Sequence, residues 1–330
     1  MAPDPTDAAS ATTVELADEL AEVGRKVRDV VRGGRRADDA AVVRTEGGDA
    51  VFGVDARADE ALIDELRRRC GTRWPGVLVI EGFDEPVPIG DPAGQDAAGD
   101  WVYLADPVDG TRGHLAQTHS AWVLLGAGRA ASTLEDLEVG AAIEIPVDRA
   151  ALGLVVAADR DGHLRARDDR LGVAGAPAPG EPPVERTLVP MAGADLARRF
   201  VTVVRLLPGG HGPIGTWADR VLDGLEVYDD LYPCTGGQLM ALVTGSAAAT
   251  LDPRPLLHPE GFATHPYDLA ALVVARAAGV VVEALPGGPL DVPIDTHTPV
   301  AWAAFANEQV ADELRRRLAA HRLRGAAPGV

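Results

Sequence analysis

A chain of 330 residues exceeds one typical hydrophobic core, so either two domains or one large α/β unit is expected. Its formal net charge of −19 repels phosphate backbones and anionic lipid, which argues against a nucleic-acid or membrane partner, and no stretch approaches the roughly 18 consecutive apolar residues that a bilayer span needs. The two cysteines, Cys70 and Cys234, lie outside any CxxC pair and are too few for a disulfide framework, and the opening MAPDPTDAASATT lacks the basic-then-apolar order of a secretion leader, so a reduced, cytoplasmic protein is expected.

Residues 1–12 are expected to be disordered. The run VELADELAEVGRKVRDVV then places Leu16, Leu20, Val23, Val27, Val30 and Val31 near one helical face, and Gly33 with Gly34 ends it. DAVFGVDARADEALIDELRRRC reads as a short strand running into a helix, with Asp55 near the junction. GVLVIEG is a compact buried strand that delivers Glu81, and WVYLADPVDG repeats the design to deliver Asp106. SAWVLLGAG and LEVGAAIEIP are further strands, and ALGLVVAADRDGHLRARD is a hairpin turning at Asp161 and Gly162. A proline- and glycine-rich stretch follows, and the domain boundary is placed just after it. The expected organisation is an N-terminal α+β domain over 13–190 and a C-terminal α/β domain over 191–330. In the second half RFVTVVRLL, VVVEAL and AWAAFAN read as strands. TWADRVLDGL, GGQLMALVTG, YDLAALVVARAAG and NEQVADELRRRLAAHRL read as helices. This alternation predicts a layered α/β arrangement.

Glu81, Asp106, Asp109 and Asp268 stand where apolar packing would hold them rigidly, at strand ends or a helix start. Carboxylates gathered in this way repel one another unless protons or cations neutralise them, and hard divalent cations such as Mg²⁺ prefer such oxygens. In DPVDGT, Pro107 stiffens the turn and Gly110 lets the backbone bend, so Asp106, Asp109 and the Val108 carbonyl can face one point, with the Thr111 hydroxyl able to hold a water. A plain solvated turn accounts for the same residues, since proline, aspartate and glycine are common there.

DPVDGT resembles the DP(I/V/L)DGT motif of the inositol monophosphatase family, Mg²⁺-dependent, lithium-sensitive phosphatases that include fructose-1,6-bisphosphatases and nucleotide 3′-phosphatases. HPYDLAALVVARAAGVVVEALPGGPLD resembles the family's later element, an aspartate opening a helix that runs into AG and a strand. VLVIEG resembles the strand carrying its metal-binding glutamate, and GVDARADEALIDEL a segment with an earlier aspartate. The resemblance implies a layered αβαβα sugar-phosphatase fold and two or three Mg²⁺ per site, with Mn²⁺ as an alternative. It implies Glu81, Asp106 and the Val108 carbonyl as ligands of one cation and Asp106, Asp109 and Asp268 of a second. Thr111 with Glu81 would position the attacking water, and Asp55 would be an outer carboxylate. It also implies a small phosphorylated substrate and a homodimer. Candidate substrate contacts are Gly110, Thr111, Arg112, the helix start at Thr235, Gly236 and Gly237, and Arg254. The family usually has a second acid directly after its glutamate; here Gly82 follows, and Glu85 is the alternative ligand. LDPRPLLHPEGFATHP is longer than the family's substrate-selecting segment.

The expected function is therefore hydrolysis of an inositol or sugar phosphate. A nucleotide 3′-phosphate or a phosphorylated biosynthetic intermediate is the alternative substrate, and a non-catalytic ligand-binding protein the alternative of another class. GHGPIG, residues 210–215, formally matches GxGxxG, but Pro208, Gly209 and Pro213 and the short spacing to Asp229 argue against a dinucleotide site. The scattered histidines form no zinc pattern.

Overall fold

The computed structural model describes residues 5–33, 39–46, 49–90, 99–172, 182–206, 210–229, 233–257, 259 and 262–323. Helix α1 spans Pro5–Arg32 and α2 Gly53–Cys70, with the small antiparallel pair β1 (Val42–Glu46) and β2 (Asp49–Phe52) between them. The helix thus begins well before residue 13, contrary to the expectation of disorder up to residue 12. Proline is tolerated in a first turn, and the alanine-rich DAASA that follows contains no breaker.

The α1 stripe is the one its spacing predicts. Leu16, Leu20, Val23, Val27 and Val31 are all buried, and each fully buried leucine stabilises by about 2 kcal/mol. They pack on one face of an eight-stranded sheet built from β3 (Gly76–Ile80), β4 (Val87–Ile89), β5 (Trp101–Asp109), β6 (Ala121–Arg129), β7 (Val139–Ile145), β8 (Leu152–Asp159), β9 (Leu164–Arg170) and β10 (Val184–Glu185). The spatial order is β10-β9-β8-β7-β6-β5-β3-β4, antiparallel except that β3 and β5 run parallel. The pleat sorts β6 with period two: Val123 and Leu125 face α1 and α2, while Trp122 and Leu124 face the rest of the molecule.

On that second face lie α5 (Thr235–Val243) and α7 (Leu272–Ala277), and beyond them a four-stranded sheet, β11 (Val201–Val203), β12 (Ala249–Asp252), β13 (Val281–Ala284) and β14 (Trp302–Phe305), in the order β11-β12-β14-β13. Helices α4 (His211–Val221) and α8 (Glu308–Ala320) cover its outer side. The layers run α, β, α, β, α. The chain passes from one sheet to the other between Glu185 and Val201, and one hydrophobic core runs through both, joining Leu124 and Val156 to Leu239, Leu251, Trp302 and Leu314.

One local reading changes and another is sharpened. The run YDLAALVVARAAG is not one helix: a 3-10 turn over Pro266–Leu269 precedes α7, and its capping bonds aim Asp268. GHGPIG is not a nucleotide loop, because Gly210 caps α4 and the later glycines lie within the helix, where Ile214 is buried; Asp229 is paired with Arg205. Among the described residues no helix is long and apolar enough to cross a membrane.

Candidate metal centre

The site forms where β5 breaks its register. Opposite β6, Asp106 aligns with Leu124 and Asp109 with Trp122, so three steps on β5 match two on its partner. Such a bulge re-aims side chains, and here both aspartates turn to the same side. The bend continues through Gly110 at φ 94°, a conformation that side chains rarely adopt, and a Cβ there would lie 2.8 Å from Cys234 Sγ. Helix α3 (Thr111–Leu115) starts at the next residue.

Asp106, Asp109 and Asp268 each offer a carboxylate oxygen within 4.8 Å of the others. Asp106 is held by the Val108 amide at 3.0 Å, Asp109 by the Gly236 amide, and Asp268 by the His265 amide at 2.6 Å. These partners fix positions without supplying a full positive charge. Burial raises Asp106 well above the usual carboxylate range, and the charges of Glu81, Asp109 and Asp268 add to the rise. Burial likewise pushes Asp109 up to about 6, against the pull of the Gly236 and Thr235 amides, the Cys234 thiol and His119. Asp268, half-buried as a residue, is raised well above its ordinary value by desolvation of its carboxylate and by the Asp109 charge. Three acids of raised proton affinity in one pocket, bound by amides rather than guanidinium groups, are the chemistry of an oxygen-donor cation site.

Glu81 follows β3, and its amide donates to the Ala105 carbonyl at 3.3 Å, which sets it beside Asp106. It stands outside the tight trio, yet its charge raises Asp106. Glu85 is exposed and is not among the charges acting on Asp106. On the far side of the turn, Thr111 Oγ1 lies 2.8 Å from Asp55 Oδ1 and 2.8 Å from the Val108 carbonyl oxygen. Asp55 is itself fixed in the first turn of α2, where its Oδ2 accepts from the Phe52 amide at 2.8 Å. The resemblance-based residues Asp55, Glu81, Asp106, Val108, Asp109, Thr111 and Asp268 thus converge, from four separated stretches of chain.

Other expected site residues have different surroundings. The Thr235 and Gly236 amides donate to Asp109 and the Gly237 amide to Cys234, so the α5 start, proposed from sequence as a phosphate cradle, here anchors the acid. Arg254 is buried and paired with Asp252, whereas Arg112 is exposed with its guanidinium 5.4 Å from the Phe262 ring centre. Cys234, packed against Asp109 and Gly110, was not expected from the sequence, which offers no signal for a lone buried thiol. A second acid-rich group, Asp159, Asp161 and His163, sits at the β8–β9 turn; buried Asp159 accepts from the Asp161 and His163 amides and from Thr13, which explains it as a turn lock.

No protein-family model matches the chain, and no curated protein sequence matches it. Solved structures do. Mycobacterium tuberculosis SuhB superposes with a TM-score of 0.60 at 17% identity, covering 94% of this chain and 98% of that one. The extragenic suppressor protein SuhB from Bartonella henselae gives 0.59 at 18%, with the same coverage of 94% and 98%. Leishmania major fructose-1,6-bisphosphatase in holo form gives 0.62 at 14%, covering 93% of each chain. The chain shares the layered α, β, α, β, α fold of these three structures over nearly its whole length.

Proposed function

We propose that this protein is a metal-dependent phosphomonoesterase acting on an inositol or sugar phosphate. One observation carries the reading: a threonine hydroxyl bonded to a carboxylate, Thr111 to Asp55, stands beside three clustered acids, two buried and one half-buried, whose hydrogen bonds among the described residues come from backbone amides rather than from a guanidinium. Mg²⁺ is the proposed cation, two or three per site, held by Glu81, Asp106 and the Val108 carbonyl and by Asp106, Asp109 and Asp268; Mn²⁺ suits the same donors. Bound there, such cations lower the pKa of water and neutralise charge on the phosphoryl oxygens and the leaving oxygen.

The chain's own groups do the rest. Asp55 Oδ1 accepts the Thr111 proton, which leaves the Thr111 oxygen lone pairs to accept from a water and fix its direction. That water attacks phosphorus in line, the P–O ester bond breaks, and the alcohol departs with a proton from solvent. Glu81, directly after the strand paired with β5, would share the water's second proton. Arg112, exposed and next to Thr111, is the proposed donor to a substrate oxygen. The net charge of −19 would repel a phosphate ester, and cation loading of the acid cluster removes that obstacle locally.

Dimerisation, expected from the resemblance, belongs to the same proposal. A nucleotide 3′-phosphate uses the same chemistry and is the second substrate class. Phosphate release from a panel of inositol, sugar and nucleotide monoesters, with Mg²⁺ and with chelator, tests the proposal. Mg²⁺-dependent turnover lost in Asp106→Asn is expected. Tight ligand binding without release from any ester would favour a binding protein on this scaffold.

A further inference from the structure

The interior behind Asp268 holds a charged pair that the proposed chemistry does not use. Asp252, at the end of β12, is fully buried, and Arg254 is 3% exposed. Arg254 Nε and Nη2 donate to Asp252 Oδ1 and Oδ2 at 2.8 and 2.6 Å. Thr264 completes the group: its hydroxyl donates to Asp252 Oδ2 at 2.7 Å and accepts from Arg254 Nη2 and from Trp302 Nε1, each at 3.1 Å. The Thr264 carbonyl accepts from the Val300 amide at 2.8 Å, so the residue is pinned on three sides.

Thr264 immediately precedes His265, whose amide holds the Asp268 carboxylate. The loop that delivers the third acid therefore starts from a fixed point. A second connection leads to the other half of the centre. The Arg254 guanidinium lies 5.3 Å from the centre of the Phe262 ring, and the guanidinium of Arg112, next to Thr111, lies 5.4 Å from the same ring. Two cations on one aromatic face the two sides of the site.

A buried ion pair is rarely the most stabilising filling for an interior, because desolvation offsets much of the attraction. What a bidentate pair with a bonded hydroxyl does supply is a single geometry. We infer that Asp252, Arg254 and Thr264 are positioning residues of the cation site: they set where Asp268 stands and, through Phe262, keep its loop in register with the Arg112–Thr111 turn. The inference rests on the metal-dependent reading above. It replaces substrate contact as the role of Arg254, whose guanidinium nitrogens all face protein acceptors.

Three variants of the full chain test it. Thr264→Val keeps the shape and removes the hydroxyl. Asp252→Asn with Arg254→Met removes both charges together, so neither is left buried alone. Arg254→Lys keeps the charge without the fork. The readout is Mn²⁺ binding without substrate, followed by the electron paramagnetic resonance of free Mn²⁺, together with the KM for substrate at saturating Mg²⁺. Loss of outer partners to ligand carboxylates typically weakens metal binding about 10- to 100-fold, and that loss is expected in the first two variants, with Arg254→Lys between them and wild type. Substrate KM should move less than about twofold. A raised substrate KM with Mn²⁺ binding intact would overturn the inference in favour of direct contact. Wild-type Mn²⁺ affinity in a folded variant would also overturn it, whatever the melting temperature does. Thr264→Val leaves the ion pair in place, so the test survives if the double variant does not fold. If wild type binds Mn²⁺ but cleaves no ester, the phosphatase reading fails while the variants still judge this inference; a wild type that binds no Mn²⁺ sinks both.

Discussion

Asp106 and Asp252 are 2% and 0% exposed, and the fold treats their charges in opposite ways. Asp252 meets a guanidinium fork and a hydroxyl. Asp106 meets one backbone amide and three more acids. Asp169 is treated like Asp252, with Arg25 and Arg28 against its oxygens. Buried aspartates pair with arginine at two places, while at a third no guanidinium among the described residues hydrogen-bonds the trio, an arrangement that the proposed cation would complete. Burial alone does not mark a functional acid; burial without a cationic partner does.

That contrast can be broken by substitution. The largest expected effect is on catalysis: Asp106→Asn should lower phosphate release by about 10³-fold or more, measured as kcat/KM, because both proposed cations lose a shared ligand. Next, Asp252→Asn alone leaves Arg254 buried without its counter-charge, and denaturant melts should show a loss of about 3 kcal/mol or more. Thr111→Val removes the hydroxyl that receives the water proton, for which about 10²-fold in kcat is expected. Asp55→Asn should act through the same hydroxyl, so the double variant should be little worse than either single one. Smaller again, Gly110→Ala forces a side chain into a positive φ and against Cys234, with a cost of about 1–2 kcal/mol read from thermal melts.

The sequence made the signature half of this site legible and left the other half obscure. Strand ends carrying Glu81 and Asp106, and a DPVDGT turn, are local patterns, and local patterns survive folding. The Asp55–Thr111 bond was within reach because both residues belong to recognisable segments. β12 was missed: ATLD is short and lacks the β-branched run that marks a buried strand, and its place beside β14 depends on residues about 50 positions away. Arg254 looked available because a sequence displays charge but not the Asp252 two residues earlier folding back onto it. The break in YDLAALVVARAAG had no glycine or proline to announce it; the Asp268 capping bonds impose it.

The central claim is that the trio's missing charge is a divalent cation. Asp109 binds its proton more tightly folded, at about 6, than its ordinary 3.8, so protonation favours the fold. The trio's own contribution to metal-free stability should be greatest below about pH 4 and fall as pH rises through about 6, and further as Asp106 and Asp268 lose their protons, opposite in sign to that of arginine-paired acids such as Glu65, whose pKa is lowered to about 2. The most direct measurement is the melting temperature of the full chain at pH 7.5, in chelator and in millimolar Mg²⁺, for wild type and Asp106→Asn. The account predicts that Mg²⁺ raises the wild-type value by several degrees, that Asp106→Asn melts higher than wild type in chelator, and that Mg²⁺ then moves it little. A wild-type melting temperature that Mg²⁺ leaves unchanged, with Asp106→Asn no more stable in chelator, would contradict it.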